Sequence, residues 1–192
     1  MMSALPKVTY ISPEEYLLGE NDRSDGIRYE YVNGQTYAMA GASRNHNRVA
    51  GSFFARLFNH LDGGHCEVFQ TDMKVGIRSL REDHFYYPDV QVTCEDETDK
   101  YYNSSPCLIV EVLSESTART DRTEKLTAYT LLPSLQEYVL CSQDFPAIEM
   151  YRKRTEWQVE RYVGGQNLML ESVGLEIAVN DLYGFLLSEK QT

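Results

Sequence analysis

The clearest periodic pattern in the chain is helical and covers residues 43–61. Apolar side chains recur there at spacings of three and four, which places them on one face of a helix. Ser43 can cap the first turn, and Asp62-Gly63-Gly64 marks the end. The sequence therefore predicts a long amphipathic helix that packs on the core. Its apolar positions are Val49, Ala50, Phe53, Phe54, Leu57, Phe58 and Leu61.

Local signals predict two further helices and one hairpin. Residues 12–15, Ser-Pro-Glu-Glu, start a short helix that Gly19 ends, and residues 118–132 form another. Asn33-Gly34 lies between two short strands and predicts a type I′ turn, because both residues tolerate a positive φ. Glu30 therefore lies on the first strand of a hairpin.

Alternating or wholly apolar runs predict the strands. Residues 66–78 alternate, with Asp72 and Lys74 on the polar face, which is typical of one long half-buried strand. Residues 107–113 are apolar on both faces and predict a central strand. The remaining strand signals cover residues 85–93, 135–141, 147–152 and 157–163, the acidic stretch 95–105 is a predicted loop, and a short helical stretch begins at Asn180.

Length and composition are typical of one globular domain. The chain has 192 residues, of which 42% are hydrophobic and 24% are charged. These proportions are those of folded proteins, and the length suits one core better than two. Because the sequence shows no internal repeat and no linker, we expect a single domain over residues 1–192.

The net charge and the N-terminal sequence limit the binding partners and the cellular location that we expect. The net charge of −11 argues against a surface that binds nucleic acid throughout, since phosphate binding rests on Lys and Arg, but it allows a local basic cleft. Residues 1–10 lack a basic stretch followed by an apolar one, and no run approaches the roughly 18 apolar residues of a membrane span. We therefore expect a cytoplasmic protein with no membrane partner.

The four cysteines form no CxxC pair, and two of them lie in apolar, strand-like runs. Cysteines of this kind in a cytosolic protein are typically reduced core residues. The sequence therefore predicts four free thiols, at Cys66, Cys94, Cys107 and Cys141.

Two acidic residues stand out because one lies at the start of an apolar run and the other lies within an apolar run. Pro88-Asp89 begins such a run, and Glu111 lies inside another, where a carboxylate is costly to bury unless a charge meets it. Two adjacent strands could place both carboxylates side by side, and two like charges then need a shared proton or a divalent cation. Mg²⁺ suits the pair because it prefers oxygen ligands and takes one or two protein carboxylates beside substrate phosphates.

A lysine near such a metal would complete a hydrolytic site. It can hold or deprotonate the attacking water and neutralise charge that builds on the phosphorane. Lys125 lies about two turns into the helix after the Glu111 strand and can reach back to the strand end. Asp121, four residues earlier, competes for this lysine in a helical ion pair worth roughly 0.2–0.5 kcal/mol.

With these residues the chain resembles the PD-(D/E)XK nuclease superfamily, whose signature is Pro-Asp, a strand ending in an acid, a spacer and a lysine. Pro88-Asp89 and Glu111 match, but Leu113 stands at the usual lysine position. Over most of its length the chain is similar to one branch, a bacterial restriction endonuclease family described as a domain of unknown function. In that family the lysine has moved to the helix after the second acid, the place of Lys125. The matching segments are ISPEEYL, RYEYVNGQ, GASRNHN, YYPDV, LIVEVLS, EKLTAY and QEYVL.

The resemblance implies an α/β fold with a restriction-endonuclease-like core, in which a central mixed β-sheet is flanked by helices. It implies an endonuclease that depends on Mg²⁺, with Mn²⁺ as a substitute, and that hydrolyses phosphodiester bonds of nucleic acid, in the first place DNA. The implied metal ligands are Asp89, Glu111 and the main-chain carbonyl of Val112. Lys125 is the implied catalytic lysine, and Glu30 reaches the metal or its water.

Other polar residues have simpler interpretations. His46 has a counterpart in the family and could contact phosphate or orient Glu30, but an exposed histidine at a helix end is the commoner case. Asp72 and Lys74 form an Asp-x-Lys pair, yet on an alternating strand both would face solvent. We predict no catalytic role for Asp72 and Lys74, and the sequence leaves the role of His46 open.

Three functions remain open from the sequence. The first is the metal-dependent nuclease, and the second is a catalytically silent dimeric binding module of the same fold, which the net charge and the absent Glu-x-Lys favour. The third is hydrolysis of a smaller phosphate ester, against which a groove lined by Arg44, Arg48 or Lys74 would count. We expect a homodimer, since a two-fold protein matches cleavage of both strands of a symmetric duplex.

The first two functions differ in the position of one side chain. If the protein is a nuclease, we expect one cleft to bring together Glu30, Asp89, Glu111 and Lys125. A lysine turned away towards Asp121 would instead favour the silent module.

Overall fold

The computed structural model describes residues 10–188. Residues 1–9, on which the expectation of a cytoplasmic protein partly rests, and residues 189–192 of the expected domain lie outside the described residues. Across the described residues, no helix is both long enough and apolar enough to cross a membrane.

Helices and strands alternate along the described residues. The helices are α1 (Pro13–Asn21), α2 (Arg44–Leu61), α3 (Ala118–Thr120), α4 (Leu126–Tyr129), α5 (Val179–Leu182) and α6 (Gly184–Ser188), with a π-helical segment (Asp121–Lys125) between α3 and α4 and a 3-10 turn at Lys153–Thr155. The strands are β1 (Tyr29–Val32), β2 (Gln35–Ala38), β3 (Glu67–Gln70), β4 (Lys74–Arg78), β5 (Asp83–Tyr86), β6 (Val90–Thr93), β7 (Tyr102–Asn103), β8 (Pro106–Leu113), β9 (Glu137–Ser142), β10 (Ala147–Arg152), β11 (Val159–Val163), β12 (Asn167–Leu170) and β13 (Leu175–Ala178).

The described strands form two mixed sheets and one small antiparallel pair. One sheet has the order β2-β1-β5-β4-β7, the other has the order β11-β10-β9-β8-β6-β3, and β12 pairs with β13. The pairs β4 with β7 and β8 with β9 are parallel. The helical run from α3 to α4 connects β8 to its parallel neighbour β9. The predicted α/β fold with a mixed sheet flanked by helices is therefore confirmed.

Strand β8 is buried on both faces, as its apolar sequence predicts. Val110 and Val112 belong to the core cluster that includes α2. Ile109 and Leu113 belong to a second cluster on the other face, together with residues of α4. Because side chains alternate along a strand, Glu111 shares the second face and points towards the helical run that carries Lys125.

Elements with strong local signals form where the sequence predicts them. Ser43 caps α2, and Asn33 and Gly34 adopt φ angles of 47° and 92° in the turn between β1 and β2. Ser12 and Glu15 form a reciprocal capping box at the start of α1. The prediction that Gly19 ends this helix is wrong: α1 continues to Asn21, because Gly19 does not take the left-handed conformation that terminates helices.

The two long predicted strands, 66–78 and 85–93, are each two shorter strands in different sheets. The first breaks at a turn around Thr71, which has a φ of 49°, and the second breaks around Pro88, which has no N–H for a strand ladder. The backbone N–H of Thr71 donates to the carbonyl of Asp89 at 3.3 Å, which ties the two breaks together. Asp89 therefore lies where the chain crosses between the sheets.

The prediction that Lys74 faces solvent is also wrong. Only 3% of Lys74 is exposed, and its Nζ lies 3.4 Å from Tyr87 Oη and 3.5 Å from Asn21 Oδ1. The alternating pattern fails here because β4 is buried on both faces. Asp72, by contrast, is exposed and forms an ion pair with Arg28.

The prediction of four reduced cysteines is wrong for two of them. Cys66 and Cys94 form a disulfide, while Cys107 and Cys141 are free. Cys66 directly precedes β3 and Cys94 directly follows β6, and these strands pair with Glu67 opposite Thr93. The register of this antiparallel pair therefore brings the two cysteines together.

Candidate active site

Strands β6 and β8 place Asp89 beside Glu111. The strands are antiparallel neighbours with Val90 opposite Val110. Asp89 directly precedes Val90 and Glu111 directly follows Val110, so this register places the two acids opposite each other. The backbone N–H of Val112 donates a 2.7 Å hydrogen bond to Asp89 Oδ2. This bond fixes one oxygen of Asp89 against the strand that carries Glu111.

Glu111 is a buried carboxylate held by two donors. It is 5% exposed, and its Oε1 accepts hydrogen bonds from Lys125 Nζ at 3.0 Å and from Tyr129 Oη at 3.2 Å. Burial raises the pKa of Glu111 well above its ordinary value, and the Lys125 ammonium opposes that shift. Both donors reach the same oxygen, and within the described residues no hydrogen bond is found for Oε2.

Lys125 lies at the centre of the acidic cluster. Its Nζ is 2.8 Å from Glu30 Oε1, 3.0 Å from Glu111 Oε1 and 3.7 Å from Asp121 Oδ1. Burial alone would lower the pKa of Lys125, but the surrounding carboxylates outweigh burial and raise it well above its ordinary value. The lysine is therefore an ammonium at neutral pH.

A π-helical segment carries Lys125 and Asp121 at its two ends. Segments of this kind are rare and occur frequently at functional sites. Asp121 is 2% exposed, and burial raises the pKa of its carboxyl. The helical ion pair with Asp121 was expected to compete for Lys125, whereas the structure brings Asp121, Glu111 and Glu30 to the same ammonium.

Glu30 reaches the cluster from the other sheet. It lies on β1, and its Oε1 accepts hydrogen bonds from Lys125 Nζ and from the backbone N–H of Tyr87 at 3.3 Å. Its side chain is 16% exposed. The hairpin acid of one sheet and Glu111 of the other therefore meet at the ammonium of Lys125.

His46 is not the exposed helix-end residue that the sequence suggests. Its side chain is 13% exposed, and Nε2 lies 3.3 Å from Asp89 Oδ2. Burial by itself would lower the pKa of the imidazole, but the hydrogen bond to Asp89, the charge of Asp89 and smaller contributions from Val112 and Asp121 together outweigh burial and raise it. Its Nδ1 is buried without a hydrogen-bond partner. Helix α2 thus adds a polar group that sequence analysis set aside.

Tyr129 was missed altogether by sequence analysis. It lies within the predicted helix 118–132, one turn after Lys125 on the same face, and contacts the same oxygen of Glu111. The four-residue spacing between the two residues was the available signal.

The donor set fits a hard divalent cation. Four carboxylates face one lysine and one histidine, so the cluster carries an excess of negative charge that a cation would balance. Asp89 Oδ2 and Glu111 Oε1 are engaged by protein donors, which leaves one oxygen of each side chain for a metal. Carboxylate and carbonyl oxygens are the ligands that Mg²⁺ and Mn²⁺ prefer.

The fold and the acidic cluster together define a restriction-endonuclease-like protein, as the sequence resemblance predicted. A sequence model of the Uma2 family, described as "Putative restriction endonuclease", matches residues 13–180, and the chain belongs to this family. Nucleases of this class generally use divalent metal ions.

Two relatives in Synechocystis sp. support the family assignment. The chain is 39% identical over 177 residues to the uncharacterized protein slr1290, a match that covers 90% of this chain and 91% of that protein. It is 31% identical over 170 residues to the uncharacterized protein sll1609, covering 85% of this chain and 93% of that protein.

A solved structure shares the fold. The crystal structure of a protein from Anabaena variabilis, described as "a putative nuclease belonging to DUF820", matches with a TM-score of 0.71 at 17% sequence identity. The match covers 92% of this chain and 99% of that chain. The likeness therefore extends over almost the whole of both proteins.

Proposed function

We propose that this protein is an endonuclease that hydrolyses phosphodiester bonds of DNA with Mg²⁺, for which Mn²⁺ can substitute. The observation that carries the proposal is the convergence of Glu30, Glu111 and Lys125 within 3.0 Å contacts, with Asp89 beside them. A lysine turned only towards Asp121 would have favoured a silent binding module. Because its substrate is DNA, the enzyme would work in the cytoplasm.

The metal ligands in this proposal are Asp89, Glu111 and the carbonyl of Val112. Support comes from the unengaged carboxylate oxygens and from the position of Val112 directly after Glu111. A divalent cation bound there supplies Lewis acidity to the scissile phosphate and balances the charge that develops on it.

Lys125 acts in this proposal as a charged hydrogen-bond donor. Its raised pKa keeps the ammonium protonated, so it orients the attacking water and stabilises negative charge on the phosphorane rather than removing a proton. Glu30 and Asp121 hold the ammonium in place, and Glu30 is the more accessible acid of the two. His46 makes a second contact with Asp89 Oδ2, the oxygen that already accepts the hydrogen bond from Val112.

Two finer points of the proposal concern the substrate and the assembly. Of the three cations expected to line a polyanion groove, Lys74 is buried and unavailable, so DNA binding would rest on exposed residues such as Arg44.

We expect a homodimer for cleavage of both strands, and sedimentation equilibrium at micromolar protein concentration tests this.

The decisive experiment is cleavage of supercoiled plasmid and of single-stranded DNA in Mg²⁺ or Mn²⁺. Wild type is compared with Glu111→Gln, and with Glu115→Gln as a matched control, because Glu115 is exposed and lies four residues further along. We expect metal-dependent nicking by wild type and the control, and none by Glu111→Gln.

Two results would contradict the proposal. Equal nicking by wild type and Glu111→Gln would place the activity elsewhere or in a contaminant. A folded wild type that neither cleaves nor binds Mn²⁺ in a calorimetric titration would identify the silent module.

A further inference from the structure

Four potential metal ligands cluster at the other end of β6 and β8 from the candidate active site. Cys66 precedes β3, Cys94 follows β6, and Cys107 is the second residue of β8, and these three strands are neighbours. Cys107 Sγ lies 3.7 Å from Cys94 Sγ, and His65 Nε2 lies 3.6 Å from Cys66 Sγ. The ligand atoms of His65, Cys66 and Cys94 all lie within 4.8 Å of one another.

We propose that, once the Cys66–Cys94 disulfide is reduced, the sulfurs of Cys66, Cys94 and Cys107 and Nε2 of His65 bind one Zn²⁺. Thiolate and imidazole are the ligands of structural zinc sites, and three cysteines with one histidine is an established combination. Within the described residues, His65, Cys66 and Cys94 are the one group of three or more such side chains close enough to hold a metal together, and Cys107 adjoins this group through Cys94. The proposal is independent of the proposed nuclease activity.

The spacing of the ligand atoms supports zinc. For bonds of about 2.3 Å to sulfur and about 2.0 Å to nitrogen, ligand atoms around a tetrahedral zinc lie about 3.5–3.8 Å apart. The sulfur pair of Cys94 and Cys107 and the pair of His65 and Cys66 already have this separation. Reduction lets the sulfurs of Cys66 and Cys94 move apart to the same spacing.

The chemistry balances with a named reductant. A phosphine gives two electrons to the disulfide and becomes a phosphine oxide with the oxygen of one water molecule, while the two protons of that water go to Cys66 and Cys94. Zn²⁺ then displaces three thiol protons and takes the neutral imidazole of His65 through Nε2. A small-molecule disulfide added as oxidant takes two electrons from the Cys66 and Cys94 thiolates and becomes two thiols with protons from water, while the Cys66–Cys94 bond forms again and the ion is released. Disulfide and zinc therefore exclude each other.

The position of the cluster indicates a structural role. Asp89 precedes β6 while Cys94 follows it, and Glu111 lies near the end of β8 while Cys107 lies near its start. The strands separate the two clusters, so zinc would not contact the acids. It would tie the edge strand β3, which follows α2, to the two central strands that carry the acids.

The experiment measures zinc in the Glu111→Gln protein, so that the candidate active site does not contribute. One equivalent of Zn²⁺ is equilibrated by dialysis with phosphine-reduced protein and with oxidised protein, and the bound metal is quantified. Co²⁺ replaces Zn²⁺ in a parallel sample, where thiolate-to-cobalt charge-transfer absorption identifies sulfur ligands. The variants Cys107→Ser and His65→Ala each remove one ligand, and Cys141→Ala is the control because Cys141 is a free cysteine outside the cluster.

We expect one zinc per reduced chain, none per oxidised chain, and a thiolate band with Co²⁺. Removing one ligand should weaken zinc binding at least about 100-fold for Cys107→Ser and about 10-fold for His65→Ala, with no change in the control. Reduced protein that takes up no zinc overturns the proposal, and this comparison needs no cysteine variant. Zinc uptake that is equal in the Cys107→Ser variant, or a cobalt spectrum without a thiolate band, also overturns it.

Discussion

The ammonium of Lys125 lies 2.8 Å from Glu30 Oε1, although the two residues belong to different layers of the fold. Glu30 lies on β1 of the five-stranded sheet, whereas Lys125 lies on the helical run that connects β8 and β9 of the six-stranded sheet. Their ion pair and the contact of Lys125 with Glu111 join the two sheets across the candidate active site. Lys125 therefore contributes to stability at the same place where the proposed function gives it a catalytic role.

Lys125→Met should destabilise the metal-free protein strongly. The variant removes the ammonium that faces Glu30, Glu111 and Asp121, and unpaired carboxylates remain in a buried site. Breaking a buried ion pair by removing one partner costs about 3–5 kcal/mol. Urea unfolding followed by circular dichroism measures the loss.

Lys100→Met is the control for this change, because Lys100 is exposed in the loop before β7. Its free energy of unfolding should change by less than about 0.5 kcal/mol. If Lys125→Met lost no more than this control, the ammonium would not hold the cluster together. The double variant Lys125→Met, Glu111→Gln should recover part of the stability, since one of the unpaired charges is gone.

Glu111→Gln should uncouple metal binding from folding. The change removes one buried negative charge beside Asp89 but keeps the shape and an oxygen for the hydroxyl of Tyr129. We expect the metal-free variant to melt at or above the wild-type temperature, because it relieves repulsion between like charges. Mg²⁺ should raise the melting temperature of wild type and not that of the variant.

Differential scanning fluorimetry across a Mg²⁺ series makes this comparison. A variant that gains the same thermal shift as wild type would show that Glu111 is not a ligand. The rate of plasmid nicking should fall by at least about 100-fold in the same variant, since the charge stabilisation supplied by the site is lost.

His46→Ala should weaken metal binding without unfolding the protein. His46 contacts Asp89 Oδ2 and so orients one proposed ligand, and loss of such an orienting group typically costs about 10–100-fold in metal affinity. A Mn²⁺ titration by calorimetry measures the change. His60→Ala is the matched control, because His60 is exposed near the other end of α2. Equal affinities in the two variants would remove His46 from the site.

The sequence predicted those features that depend on neighbouring residues. The cap at Ser43 and the turn at Asn33-Gly34 are decided within a few residues, and both form as expected. The pairing of the Asp89 and Glu111 strands was also accessible, because a buried acid in an apolar strand has few stable arrangements. The proposed roles of these acids rest on the family resemblance and await the experiments above.

The remaining features depend on contacts that no local pattern reveals. Lys74 is buried because a turn at Thr71 sends the chain into a second sheet. The strand in that sheet is buried on both faces, so the alternating pattern no longer separates buried from exposed positions. Cys66 and Cys94 meet through strand register across 28 residues of sequence. His46 contacts Asp89 because α2 packs on β8. This packing joins segments far apart in the sequence, so the position of a histidine at a helix end does not predict it.

A buried ion pair far from the acids offers a last test of how this fold uses charge. Arg152 is 2% exposed and its Nε lies 2.9 Å from Oε1 of Glu137, which is 1% exposed. Glu137 also accepts hydrogen bonds from Ser172 Oγ at 2.6 Å and from the backbone N–H groups of Ser172 and Glu171. The pair lies at the start of β9, whereas Glu111 lies opposite Leu140, further along the strand.

Arg152→Met should therefore cost about 3–5 kcal/mol of unfolding free energy, because it leaves the Glu137 carboxylate buried without its cation. Arg154→Met, which removes an arginine with a 56% exposed side chain from its ion pair with Glu171, should cost less than about 1 kcal/mol. Urea unfolding of both variants decides the point. Both variants should keep the wild-type nicking rate below their unfolding transitions, since neither arginine contacts the acidic cluster. Similar losses of unfolding free energy in the two variants would show that burial does not make the Glu137–Arg152 pair more stabilising than an exposed pair. A loss of nicking in folded Arg152→Met would show that this ion pair affects the candidate active site.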